Sequence, residues 1–126
     1  MSIIHALVAR HPDIVLSEHS EHSGNFLTIS RVVLQKAVKP DSKQSITYDN
    51  HKFIYINENK IIYLCLVEGM SETAAFAFLN DIKKKLLQSY DYNSLCTYNT
   101  FQLNEFNETI KQFMVSQYSR NIKGIV

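Results

Sequence analysis

The densest set of reactive side chains in the sequence is Glu18-His19-Ser20-Glu21-His22. Two imidazoles three residues apart, interleaved with carboxylates, are the residue types that ligate zinc or exchange protons near neutral pH. Their use depends on a backbone that aims them at one point. Here they lie between a strand-like run and a helical one and end in Ser23-Gly24, so the segment reads as a polar connection. A solvated turn outweighs a converging site. His5, His11 and His51 fall in a strand and two turns, and their spacing suggests no common cluster. Serine, histidine and aspartate are all present, yet no nucleophile-elbow glycine pattern frames a serine. Three glycines in 126 residues leave no phosphate-cradling loop. The chain is therefore read as non-catalytic, with no cofactor and no metal.

Binding chemistry is equally sparse. A formal net charge of +1 gives no overall field toward nucleic acid or acidic lipid. Lys52, Phe53 and Tyr55 interleave a base with aromatics that could stack nucleobases, but Ile54 and Ile56 alternate with them and burial explains the pattern. No nucleic-acid partner is expected. Tyr63-Leu64-Cys65-Leu66 has the form of a tyrosine sorting signal, but inside an apolar run it reads as core. Lys83-Lys84-Lys85 reads as a solvated helix face. Cys65 sits in that apolar run and Cys96 in a polar stretch, which suits a reducing compartment better than a disulfide framework. No apolar stretch reaches the roughly 18 residues that span a bilayer.

The elements that would position these groups follow from periodicity. Residues 3–10 and 61–67 are short, nearly continuous apolar runs, as expected of strands covered on both faces. His11-Pro12-Asp13 marks a turn into a strand at about 14–18. Residues 45–49 alternate, with Ile46 and Tyr48 on one face, as in a half-buried strand at a sheet edge. Turns at 49–51 and 58–59 bracket a strand carrying Phe53 to Ile56. A helix opens at Ser71, with Ala75, Phe78, Leu79, Ile82, Leu86 and Tyr90 as its stripe. Another is expected from near Asn99, with Gln102 in a capping-box arrangement and Leu103, Phe106, Ile110 and Phe113 as its stripe.

The first helix, about 24–38, is the unusual one. Its apolar residues Phe26, Leu27, Ile29, Val32, Val33, Leu34, Ala37 and Val38 sweep roughly 240°, against the ~100° a surface helix needs. Ser30 and Lys36 interrupt the arc, and small Ser30 and Ala37 at its centre would allow close approach to a sheet. Either neighbouring elements cover the excess or a partner segment does. Periodicity alone favours the first. The order strand, strand, helix, three strands, helix, helix, with hairpin-length turns, implies a three-layer α-β-α sandwich on a mainly antiparallel sheet.

This layout carries motifs of a known family. Gly24-Asn25-Phe26-Leu27, Ile62-Tyr63-Leu64-Cys65, Ala75-Phe76-Ala77-Phe78-Leu79-Asn80-Asp81-Ile82-Lys83 with Tyr90, and Asn104-Glu105-Phe106 stand in order at matching spacings. By these, residues 3–119 resemble the longin domain of longin-type R-SNAREs, the vesicle-associated membrane protein family. Ala74 and Asp91 depart from the pattern, standing where Arg and Gly are common. The resemblance implies a profilin-like α/β fold: a five-stranded antiparallel sheet with one helix on one face and two on the other. It also implies a regulatory domain that binds its own SNARE motif in cis, other SNAREs, or adaptor, coat or Arf-GAP proteins. The groove for these lies between the first helix and third strand, at Ile29, Val32, Val33, Lys36, Ile46 and Tyr48. With it, the partner explanation of the wide apolar arc takes the lead.

Residues 1–120 are thus expected to be the domain and 121–126 the start of a linker toward a SNARE motif and membrane anchor that lie beyond this chain. Membrane attachment would come only through that C-terminal anchor, placing the domain on the cytoplasmic face of vesicles or endomembranes. The alternative is a small longin-fold subunit of an adaptor or tethering complex.

Overall fold

A computed structural model describes residues 2–36 and 38–125, with side chains described through residue 116. Five strands, β1 (Ser2–Arg10), β2 (Ile14–Ser20), β3 (Ser42–Tyr48), β4 (His51–Glu58) and β5 (Ile61–Glu68), form one sheet. Its order is β2-β1-β5-β4-β3 and every pairing is antiparallel. This is the expected α/β architecture. β1 and β5 are central, and both are buried along nearly their whole length, as their unbroken apolar runs require. The β4–β5 turn consists of Asn59 and Lys60, both with positive φ, the geometry of a two-residue hairpin loop.

One face of the sheet is covered by α1 (Phe26–Lys36), the other by α2 (Glu72–Ser89) and α4 (Asn107–Ile125). A short α3 (Tyr92–Leu95) joins the latter two. α2 starts where Ser71 Oγ accepts the Ala74 N–H at 3.1 Å, and it buries Ala75, Phe78, Leu79, Ile82 and Leu86. Burying each large apolar side chain contributes about 1.5–3 kcal/mol, so this stripe holds the layer in place. Lys83 is not simply solvated: its Nζ donates to Glu58 Oε2 at 3.0 Å, tying α2 to the end of β4. Asp91, where the family pattern has Gly, caps α3 by accepting the Ser94 N–H.

Two sequence expectations need correction. β2 runs to Ser20 rather than stopping at 18. The last long helix begins at Asn107, after a single 3-10 turn at Asn104–Phe106, and not near Asn99. Asn99 N–H does donate to Gln102 Oε1 at 2.8 Å, but this closes a turn. Phe101 there has a φ of 59°, which no right-handed helix accommodates. Its backbone is engaged elsewhere: the N–H groups of Phe101 and Leu103 donate to the carbonyls of Val15 and Leu16 on β2. Leu103, Phe106 and Ile110 are buried as expected, with Met114 next in place of the half-buried Phe113.

Candidate functional site

The extension of β2 decides the fate of the histidine–carboxylate segment. Glu18, His19 and Ser20 belong to a strand, so their side chains alternate between faces. Register pairs Glu18 with Leu7 and Ser20 with His5 on the α1 face, and His19 with Ala6 on the other. Alternation therefore separates His19 from Glu18 and Ser20, and its Nε2 instead meets Glu21 Oε1 at 2.9 Å. His22 lies exposed beyond the strand. Among the described residues, no three His, Cys, Asp or Glu gather closely enough to hold a metal.

His5, which spacing alone left isolated, joins this region. It is fully buried, with Nδ1 2.6 Å from Ser20 Oγ and 3.6 Å from Glu18 Oε2. Its ring stacks beside Phe26 at the start of α1, and Nε2 is buried without a hydrogen-bond partner. Burial, with a smaller contribution from the His19 charge, lowers the imidazole pKa from 6.5 to about 4. The imidazole is thus held neutral, as part of the packing. No signal within the segment could reveal it, because the contact spans 15 residues of sequence.

The groove residues come together differently. Ser30 and Leu34, 0% and 3% exposed, mark the line along which α1 meets the sheet. Ser30 is the small residue that allows close approach; Ala37 lies outside the described residues. Gln35 Nε2 donates to Asp13 Oδ2 at 2.7 Å, and Arg31 lies 3.9 Å from the same atom. That side of α1 therefore faces the β1–β2 turn. At 100° per residue, Ile29, Val33 and Lys36 fall on the opposite side, turned toward β4 and β3. Ile29 and Val33 are half-buried, packing on the cluster that contains Phe53, Tyr55, Leu64 and Leu66. Val32 forms the outer rim, 46% exposed.

β3 supplies the other wall. Ile46 pairs with Phe53 and packs on the same cluster, and Tyr48, on the same face, lies 5.9 Å from the Phe53 ring. Tyr48 nevertheless remains 44% exposed. Phe53 and Tyr55, the β4 members of that cluster, are wholly buried. At the closed end of α1, the Tyr55 hydroxyl accepts the Lys39 N–H at 3.0 Å, and Asn57 Nδ2 donates to the Lys39 carbonyl, also at 3.0 Å. Those bonds fix the connection that sets β3 beside the helix.

The two sheet edges are unequal. On β2, Val15 and Leu16 carbonyls are taken by the loop before α4, and Glu18 N–H donates to Asn107 Oδ1 at 2.9 Å. On β3, the two-residue Asp49-Asn50 loop makes Tyr48 and His51 a hydrogen-bonded pair. The backbone groups of Ser42, Gln44, Ile46 and Tyr48 therefore serve β4, and those of Lys43, Ser45 and Thr47 point outward. Sequence reasoning foresaw an edge at β3 but not that, among the described residues, it is the bare one of the two. A cavity of about 370 Å³ lined by His11, Pro40, Asp41, Asn57, Asn59, Lys60 and Tyr92 lies apart from the groove residues and mixes both signs of charge.

Among the described residues, no helix is long and apolar enough to cross a membrane. Comparison with known proteins gives a consistent set of matches. The sequence profile of the Longin family, described as a regulated-SNARE-like domain, matches residues 16–110. Vesicle-associated membrane protein 7 of Gallus gallus is 38% identical over 91 residues, 71% of this chain and 41% of that protein. The Homo sapiens protein of the same name is 37% identical over 91 residues, with the same coverage. Vesicle-associated membrane protein 7B of Dictyostelium discoideum is 31% identical over 115 residues, 90% of this chain and 44% of that protein. The chain thus spans less than half the length of these relatives, and none of these matches names a catalytic family.

Proposed function

This chain belongs to the Longin family of regulated-SNARE-like domains, and on that premise we propose that it is the non-catalytic regulatory part of a vesicle-trafficking R-SNARE. In this reading residues 1–120 form the domain and 121–126 begin the linker toward a SNARE motif. The domain binds that motif in cis, or sorting and coat partners, through the groove walled by Ile29, Val32, Val33 and Lys36 on α1 and Ile46 and Tyr48 on β3. Its place is the cytoplasmic face of a vesicle or endomembrane. The observation that carries the reading is the uncovered apolar flank: Val32 and Tyr48 stay 46% and 44% exposed beside half-buried Ile29, Val33 and Ile46. Contiguous apolar surface rimmed by polar residues marks a binding site.

Replacing Ile46 and Tyr48 together with Ser tests it. Binding of a SNARE-motif segment from a Vesicle-associated membrane protein 7 should weaken by about 2 kcal/mol or more, roughly thirtyfold, as for a hot-spot pair. Circular dichroism and cooperative melting should remain close to those of the parent, since both residues lie on a peripheral strand. Undiminished binding by the double variant would place the site elsewhere. A stable hetero-oligomer that survives the double substitution would favour an adaptor- or tethering-complex subunit.

A further inference from the structure

The groove has a chemistry beyond apolarity. Between Arg31 and Lys52 five cationic side chains stand against two carboxylates, Asp41 and Asp49, whereas the rest of the chain holds eight cations and ten anions. Arg31 is engaged with Asp13. Lys36, Lys39, Lys43 and Lys52 are exposed and have no ion-pair partner among the described residues. These four bracket the bare edge. Lys36 and Lys39 lie on α1 and its connection to β3. Lys43 and Lys52, by register with Ile56 and Thr47, lie on the opposite face of the sheet.

An extended segment laid along β3 would meet two unlike environments at alternate residues. Every second side chain would face Ile29, Val33, Ile46 and Tyr48; the others would stand beside Lys43, Ser45 and Thr47. We propose, resting on the groove reading above, that the site selects extended segments in which apolar residues alternate with aspartate or glutamate. The outward N–H and C=O groups of Lys43, Ser45 and Thr47 supply the main-chain bonds, the groove supplies the apolar pockets, and the lysines supply the sign. A second copy of this chain fits poorly, because its own β3, Ser42–Tyr48, holds no aspartate or glutamate to set beside these lysines. A helical ligand would use the apolar wall but leave the outward backbone groups of β3 to water.

Seven-residue peptides, the length of β3, test the selection against the 126-residue chain by fluorescence anisotropy. One alternates Val or Leu with Glu; matched versions carry Lys or Thr in place of Glu. A fourth has the composition of the first with its apolar residues at helical spacing. The acidic alternating peptide should bind about tenfold tighter than the Lys version at about 50 mM salt, the sum of a few exposed cross-strand charge pairs. The margin should shrink at about 300 mM salt. Lys43→Glu with Lys52→Glu should reduce or invert the preference. Equal affinities for the acidic and Lys peptides, a preference for the helical spacing, or no binding by any peptide would overturn the selection rule. If binding is charge-blind yet lost in the Ile46→Ser, Tyr48→Ser variant, the groove stands and only its chemistry falls. If the acidic peptide binds that variant undiminished, both fall.

Discussion

At the scale of single residues, His5 shows how burial removes chemistry that composition offers. A Glu18 oxygen lies 3.6 Å from its Nδ1 and would favour the imidazolium, but Glu18 is 27% exposed while the ring is fully buried. Desolvation prevails, and the pKa falls to about 4. The unfolded chain, with an ordinary imidazole, takes up a proton as pH drops through 6.5, and the native state does not until about 4. Stability is therefore complete above pH 6.5 and declines as pH falls to about 4, by about 3 kcal/mol from this group alone. His5→Asn keeps a donor near Ser20 and removes the titration. Urea unfolding at several pH values from 7 to 4 should give a shallower decline for the variant, all carboxylates being common to both chains. Parallel curves would mean the histidine ionises equally in the folded state. The sequence carried the residue types but not this neighbourhood, because strand pairing brings His5 to Ser20 and alternation sends His19 to the other face.

At the scale of elements, periodicity read the packed faces well and the boundaries less well. The stripe of α2 is buried as its 3.6-residue pattern requires, with Phe78 and Ile82 at 1% and 2% exposure. Truncating either to Ala should cost about 2–5 kcal/mol in urea unfolding, through lost transfer energy and the cavity left behind. A loss below about 1 kcal/mol would show that the stripe is not core. α4 starts later than its sequence pattern suggests for a physical reason: Asn99 and Gln102 have capping-box spacing, but the backbone donors of Phe101 and Leu103 are used to cover the β2 edge. Tertiary hydrogen bonding overrode local preference there. The width of the apolar arc on α1 was legible, yet periodicity could not say which flank turns toward the β1–β2 turn and which toward β3. That follows from Arg31 and Gln35 reaching Asp13, a contact with the β1–β2 turn.

At the scale of the whole molecule, the layer order was legible because it depends on coarse features: two doubly apolar strands, short turns and three amphipathic stretches. The inequality of the sheet edges was not, since it depends on where one loop docks. That inequality sets the last prediction. One edge and face of the sheet are closed by α4 and its preceding loop, so a tethered segment has the α1–β3 side as its open apolar surface. Joining a SNARE motif after residue 126 holds it at an effective concentration in the millimolar range, so even weak groove affinity populates a folded-back state. A SNARE-motif peptide added in trans should then bind the longer chain at least about tenfold more weakly than the 126-residue chain. Amide exchange across residues 26–48 should slow in the longer chain, because a seated segment suppresses local opening. Ile46→Ser with Tyr48→Ser should restore fast exchange without changing the core of β1 and β5. Equal peptide affinity together with unchanged exchange in the two chains would rule out closure in cis, leaving recruitment of separate partners as the use of the groove.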